Sequence, residues 1–332
     1  MGEGNLCSVE SIPRYGNDVL HPCVRCFNES FFNHNWWMVQ TPKGNINPME
    51  ENPILYYGID NGEFAPTEWK FVKIIADTPD GGYNSDPTME LYNHCLYIIW
   101  RQVCPDGSNT SYSLRITKLK SENGVLLQDD ACDPIIKSVP VLNMDYFISP
   151  ALYSDGNNIH LLSFANIFHK YRIGEKNRFF KKLFSVLNIF GCFSNMKFLC
   201  CCDWSVDLVG KYRILLDGAY FIGNINPLYQ PWHFDYFAYD GDRFLIIQMN
   251  QEHPDFFIAK LVDDSRRIEI LGGPLLSSRL SNLTMAYKSS VVIYGDFLYM
   301  YLTTYNSAKQ KNEMYLYCEN LGSLMKKLKK SV

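Results

Sequence analysis

Short, largely apolar runs parted by polar turn residues recur along most of this chain. Thr88–Tyr92 and Leu96–Arg101 are two such runs, separated by Asn93-His94. Ser111–Leu119 and Val125–Leu127 follow, with Glu122-Asn123-Gly124 between them. Runs rich in Tyr, Ile, Val and Thr predict strands, because such side chains suit a pleated, half-buried surface. The tight Asn/Asp/Gly turns predict antiparallel neighbours. The same layout occurs at His21–Phe27, Trp36–Gln40, Asn52–Gly58 and Trp69–Val72. It returns at Ser149–Tyr153 with Ile159–Phe164, at Pro231–Asp235 with Arg243–Met249, and at Tyr287–Val292 with Phe297–Thr304.

Each unit opens on a polar residue, and the starts fall at 21, 86, 149, 233 and 287. His21, Asp86 and Ser149 are each followed by proline. A recurring unit with a polar opener predicts an all-β, five-bladed β-propeller over residues 1–320, with the openers sharing a central face. A two-sheet sandwich would not produce that recurrence. The long step between the third and fourth units predicts a partly helical insertion at 174–206, in or after the third blade. Its apolar run from Leu183 to Cys202 approaches the length of a membrane span, but Asn188, Gly191, Ser194, Asn195 and Lys197 make a poor one. A packed flap or partner interface is favoured there. Residues 321–332 predict a short basic helix or tail.

Composition narrows the functional classes. Of 332 residues, 47% are apolar, enough for a large core, and the net charge of −4 argues against a general nucleic-acid binder. The start Met1-Gly2-Glu3-Gly4-Asn5 has no basic and then apolar stretch, so no signal peptide is expected. Residue 6 is Leu, which breaks the myristoylation pattern. The 11 cysteines are odd in number and are expected reduced, in a virion or in the cytoplasm of the producing cell. The sequons at Asn28, Asn109 and Asn282 are then chance matches. Cys23-x-x-Cys26 lacks a second pair, and Cys200-Cys201-Cys202 has no zinc-ribbon spacing. No metal and no cofactor are expected. Phosphate-loop, dinucleotide and nucleophile-elbow motifs are absent.

Taken in order, His21-Pro22, Trp37-Met38 with Thr41-Pro42, Glu51-Asn52-Pro53-Ile54, Tyr83–Pro87, Ser149-Pro150, Pro231-Trp232-His233 with Asp235, and Tyr287–Ser290 form a pattern spread over residues 21–304. With it the chain resembles the five-bladed propellers related to glycoside hydrolase family 43, and most of all certain bacterial and phage glycosidase-like propeller proteins. The resemblance implies an inverting mechanism with an Asp base on blade one, an orienting Asp on blade two and a Glu acid on blade three. Asp86 matches the second role. His21 and Ser149 stand where the other two are expected.

The expected function is therefore carbohydrate recognition in an axial funnel, by a virion-associated and catalytically degenerate module. Its partners would be a glycan and, through 174–206, a virion protein. The alternative is a glycoside hydrolase acting through Asp86 and Asp235, and a second alternative is a purely structural assembly protein. Asp86, Asp235 and His233 are the candidate catalytic residues, since positions 233 and 235 share one strand face. His21, Trp232, Ser149, Lys288 and Glu51 are the candidate ligand-binding residues. The clustered tryptophans are expected mostly in the core, with one or two free to stack on a sugar.

Overall fold

The computed structural model describes residues 5–9, 18–43, 51–60, 62, 64–106, 109–136, 148–166, 199–208, 210, 212–222, 231–277 and 285–329. The chain opens with strand β1 (Asn5–Ser8). The first meander is β2 (Asp18–Phe31), β3 (His34–Lys43), β4 (Ile54–Gly58) and β5 (Trp69–Ile74). The second is β6 (Tyr83–Tyr92), β7 (Cys95–Asp106), β8 (Asn109–Glu122) and β9 (Val125–Gln128). After the two-residue β10 (Ile135–Ile136) comes the third: β11 (Ile148–Ser154), β12 (Ile159–Asn166), β13 (Leu199–Asp207) and β14 (Arg213–Ile222). The fourth is β15 (Pro231–Tyr239), β16 (Asp242–Met249), β17 (Asp255–Val262) and β18 (Arg267–Ile270). Two parallel residue pairs between β14 and β18 join these two meanders into one ten-stranded sheet that includes β10 and β19 (Leu276–Ser277). The last unit is β20 (Ser290–Tyr294), β21 (Phe297–Asn306) and β22 (Lys311–Asn320), followed by helix α1 (Leu321–Lys329). Strand β1 pairs with β22, so the beginning of the chain completes the last sheet.

The opening strands pack against one another in the cyclic order β2, β6, β11, β15, β20 and back to β2. Five apolar clusters fill the seams between successive meanders. Each sheet is thus covered on both faces, which explains why adjacent residues are both apolar. Trp36 packs toward the fifth meander and Trp37 toward the second. Ile98 and Ile99 divide in the same way. Strands buried on both faces lose the alternating pattern.

That loss accounts for one correction. Residues 199–206, assigned from the sequence to an insertion, are the strand β13. Cys201 and Cys202 face two different seams. The remainder of the expected insertion, 174–198, lies outside the described residues. The basic C-terminal stretch is helical, and Leu321, Leu324, Met325 and Leu328 bury its apolar face against the fourth and fifth meanders. Among the described residues no helix is long and apolar enough to cross a membrane.

Candidate functional site

The opening strands bring polar side chains to the axis by breaking their own pleat. His21, Asp86 and Ser149 have φ of 47°, 50° and 51°, in the left-handed region. At each of them the pairing register shifts, between Leu20 and Cys23, Ser85 and Thr88, and Ile148 and Ala151. A bulge re-aims a side chain, and such backbone costs of order 1–3 kcal/mol, held in place by the surrounding sheet. The fourth strand breaks register between Pro231 and His233.

The result is a buried cluster of His21, Asp86 and His233. His21 Nε2 lies 3.6 Å from Asp86 Oδ1, and His233 Nδ1 lies 3.7 Å from the same oxygen. The two imidazoles meet edge to face with centroids 5.6 Å apart. All three residues are buried, and Asp86 Oδ1 has no hydrogen-bond partner among the described residues. One ligand-type atom from each lies within 4.8 Å of the others. His21 Nδ1 is 3.1 Å from Thr41 Oγ1 and 3.6 Å from Glu51 Oε2. The tautomer protonated on Nδ1 donates to Thr41 and presents the Nε2 lone pair to Asp86. Ser149 Oγ is in hydrogen-bond contact with His233 Nδ1. Trp232 meets His233 edge-on, and Tyr287 meets His21 edge-on, each at 5.6 Å.

Burial keeps both imidazoles neutral. It drives His21 down to about 4 and His233 down to about 3, against the opposing pull of Asp86. For Asp86, burial favours the acid, but the cationic groups around it, Arg101 and Lys288 among them, hold the carboxyl well below the usual range. Ligand-free protein should therefore lose stability as pH falls from about 6.5 toward 4. The unfolded chain takes up two protons there that the folded chain refuses, each steepening the loss by up to ~1.4 kcal/mol per pH unit. Urea unfolding between pH 7 and pH 4.5 measures it. A slope unchanged in His21→Gln and His233→Gln would contradict neutral histidines.

Other sequence-predicted residues fall differently. Asp235 is fully buried, and both its oxygens pair with Arg25, at 2.8 and 2.9 Å. It also accepts from Ser290 Oγ at 2.8 Å and from the backbone N–H of Val291 and of Tyr236, each at 2.9 Å. Burial opposes its charge, and the Arg25 guanidinium outweighs burial. Lys288, a candidate ligand-binding residue, donates to the carbonyls of Pro87 and Pro150 at 3.0 and 2.8 Å. Glu51, another candidate ligand-binding residue, stands beside His21. Trp36, Trp37, Trp69 and Trp100 are fully buried, and only Trp232 among these candidates borders the cluster.

Arg25 and Arg101 were not singled out in the sequence, and Thr41 and Tyr287 stood in the pattern of the resemblance without being candidate site residues. Thr41 and Arg101 sit on second strands, opposite Leu20 and Ser85, and a register assignment would have found them. The grouping of His21, Asp86 and His233 leaves no spacing motif in the sequence, because the three residues come from three meanders. A second His/Asp group, His160 with Asp203 and Asp217, differs in that Arg243 neutralises Asp203 at 2.9 Å.

No protein-family model matches the sequence, and no curated protein sequence matches it significantly. Solved structures do match. An N-acetylgalactosamine deacetylase from F. plautii, in complex with blood group B trisaccharide, superposes with a TM-score of 0.61 at 16% identity, over 94% of each chain. A GH43 β-xylosidase/α-arabinofuranosidase from a compost microbial metagenome gives 0.59 at 10% identity, over 95% of this chain and 94% of that one. A family 117 glycoside hydrolase from Zobellia galactanivorans gives 0.57 at 11% identity, over 96% and 90%. The chain therefore folds as a β-propeller of the kind found among these glycoside hydrolases.

Proposed function

We infer that the chain is a carbohydrate-active hydrolase that holds a divalent cation with His21, Asp86 and His233 and removes an acyl group from a sugar. The observation that carries this is the unpartnered, buried Asp86 oxygen facing two neutral imidazoles. Ligands about 2.1 Å from a common ion stand roughly 3.0–3.5 Å apart, so contacts of 3.6 and 3.7 Å need a small adjustment, with His233 Nδ1 exchanging Ser149 for the ion. Imidazole and carboxylate together suit zinc, manganese or iron. Such an ion polarises a carbonyl and acidifies water.

The chain's own groups supply the remainder. Thr41 and Glu51 orient His21 through Nδ1. Glu51, whose Oε2 lies 3.6 Å from His21 Nδ1 at the edge of the cluster, is assigned as the base. The two-carboxylate glycosidase reading loses its support, since inversion needs a water between two carboxyls roughly 6.5–9.5 Å apart. Asp235, the second carboxylate of that reading, is spent on Arg25. That one structural neighbour is a sugar deacetylase and others are glycosidases supports the substrate class. The same reading takes the five meanders as five blades, with 174–198 as an insertion in the third.

A second reading is a glycan-binding module without turnover, in the virion setting that the sequence resemblance suggested. Ser149 favours it, because it stands where the resemblance expects an acid and engages His233 instead. The test is acetate release from N-acetylated and O-acetylated sugars by chelator-treated protein, with Zn2+, Mn2+ or Ca2+ added back. Acetate release that depends on the ion is expected. Glycan binding with no product under any ion selects the second reading, and glycosidic cleavage insensitive to chelator overturns the first.

A further inference from the structure

The cluster contains one cationic head that its own contacts do not consume. Lys288 is fully buried and spends its ammonium on two carbonyls. Arg101 differs. Its Nε donates to Ser85 Oγ at 3.0 Å and lies 3.5 Å from Asp86 Oδ2. Its guanidinium lies over the ring of Tyr112, 5.8 Å from the centroid. Those contacts fix the side chain from one edge and one face. The two terminal amino groups have no hydrogen-bond partner among the described residues, and the side chain is 18% exposed. Asp86, by comparison, is 2% exposed.

Arg101 and Glu51, at 18% and 14%, are the most exposed of the charged side chains in the cluster, so they mark the side on which it meets the surface. A divalent cation held by His21, Asp86 and His233 would add positive charge beside Arg101. A guanidinium held by Nε and one face, with its fork free, matches the planar pair of oxygens of a carboxylate or sulfate.

On the reading given above for the site, we propose that Arg101 selects a sugar carrying an anionic substituent, a carboxylate or a sulfate ester, beside the acyl group that is removed. Arg101 is a specificity-determining residue here. Because it also touches Asp86, its effect is read as a ratio between ligands and not as a loss of binding.

The test is calorimetric binding to Mn2+-loaded protein of N-acetylglucosamine, its 6-sulfate, and its counterpart with a carboxylate at C6. Wild type is expected to bind at least one anionic sugar about 10-fold or more tighter than the neutral one. The sulfate and carboxylate arms tell which group is read. Arg101→Gln should bring that ratio near one, and Arg101→Lys should keep part of it. Damage to Asp86 would weaken all three sugars together and leave the ratio alone. Equal wild-type affinities, no detectable binding of any sugar, or an unchanged ratio in Arg101→Gln would each overturn the proposal. Acetate release is scored separately: its absence with every ion sinks the hydrolase reading while the ratio still reports on Arg101.

Discussion

Replacing Arg25 with methionine is expected to destabilise the protein by about 3–5 kcal/mol, the range for leaving a buried charge without its partner. Asp235 is completely buried and receives two N–H bonds from the guanidinium. It also ties β2, β15 and β20 together, because Ser290 Oγ both donates to Asp235 and accepts from the backbone N–H of Val24. Removing the cation leaves the carboxylate among two backbone N–H groups and one hydroxyl, too few to replace it. The decisive comparison is Arg25→Met against Arg25→Met with Asp235→Asn. The double variant should recover much of the loss, since asparagine keeps an acceptor for Tyr236 or Val291 and carries no charge. Equilibrium urea unfolding gives both values. A double variant as unstable as the sum of the singles would mean that the charge is not what the arginine answers. The pair's contribution is present above the unfolded carboxyl's 3.8 and fades as pH falls below it, because the folded carboxyl titrates lower.

Asp86→Asn should abolish function while sparing the fold. The amide is nearly isosteric, so the left-handed backbone at φ 50° and the packing around Pro87 are kept. The lost charge removes a ligand, and cation affinity should fall by at least ~100-fold. Acyl hydrolysis should fall by about 10³-fold in kcat/KM, roughly 4 kcal/mol of transition-state stabilisation. Glu51→Gln makes the contrast: cation affinity held within about 10-fold, with kcat lowered 10²–10⁴-fold, as for a base. Calorimetric metal titration beside acetate release separates the two. If Asp86→Asn binds the cation like wild type, the ligand assignment is wrong. If Glu51→Gln keeps full activity, the base lies elsewhere.

Much of the architecture was legible because antiparallel hairpins write themselves locally. Turns such as Asn93-His94 and Asp240-Gly241 part runs of recognisable strand residues, and both carry the positive φ that tight turns need. The polar openers were legible too, since a His, Asp or Ser before proline is conspicuous among apolar runs. What failed to show was whatever depends on distant pairing. Asp235 shared a strand face with His233 in the sequence, yet Arg25, 210 residues away, decides its role. Glu51 precedes its strand, and only the close approach of β6, where Asn84 N donates to Glu51 O at 3.0 Å, places it at the axis. The Leu199–Asp207 strand was misread because burial on both faces erases alternation.

The pairing of β1 with β22 reaches further than the sheet it completes. Asn5 to Ser8 lie opposite Cys318 to Tyr315, so the circle of sheets is clasped by backbone bonds between remote parts of one chain. The axial side chains come from separate sheets around that circle, and none of them can keep its neighbours if the clasp opens. Occupancy at the centre and closure at the rim are therefore linked equilibria. A ligand that bridges the openers acts as a staple on the whole circumference, strengthening the clasp by the free energy with which it binds.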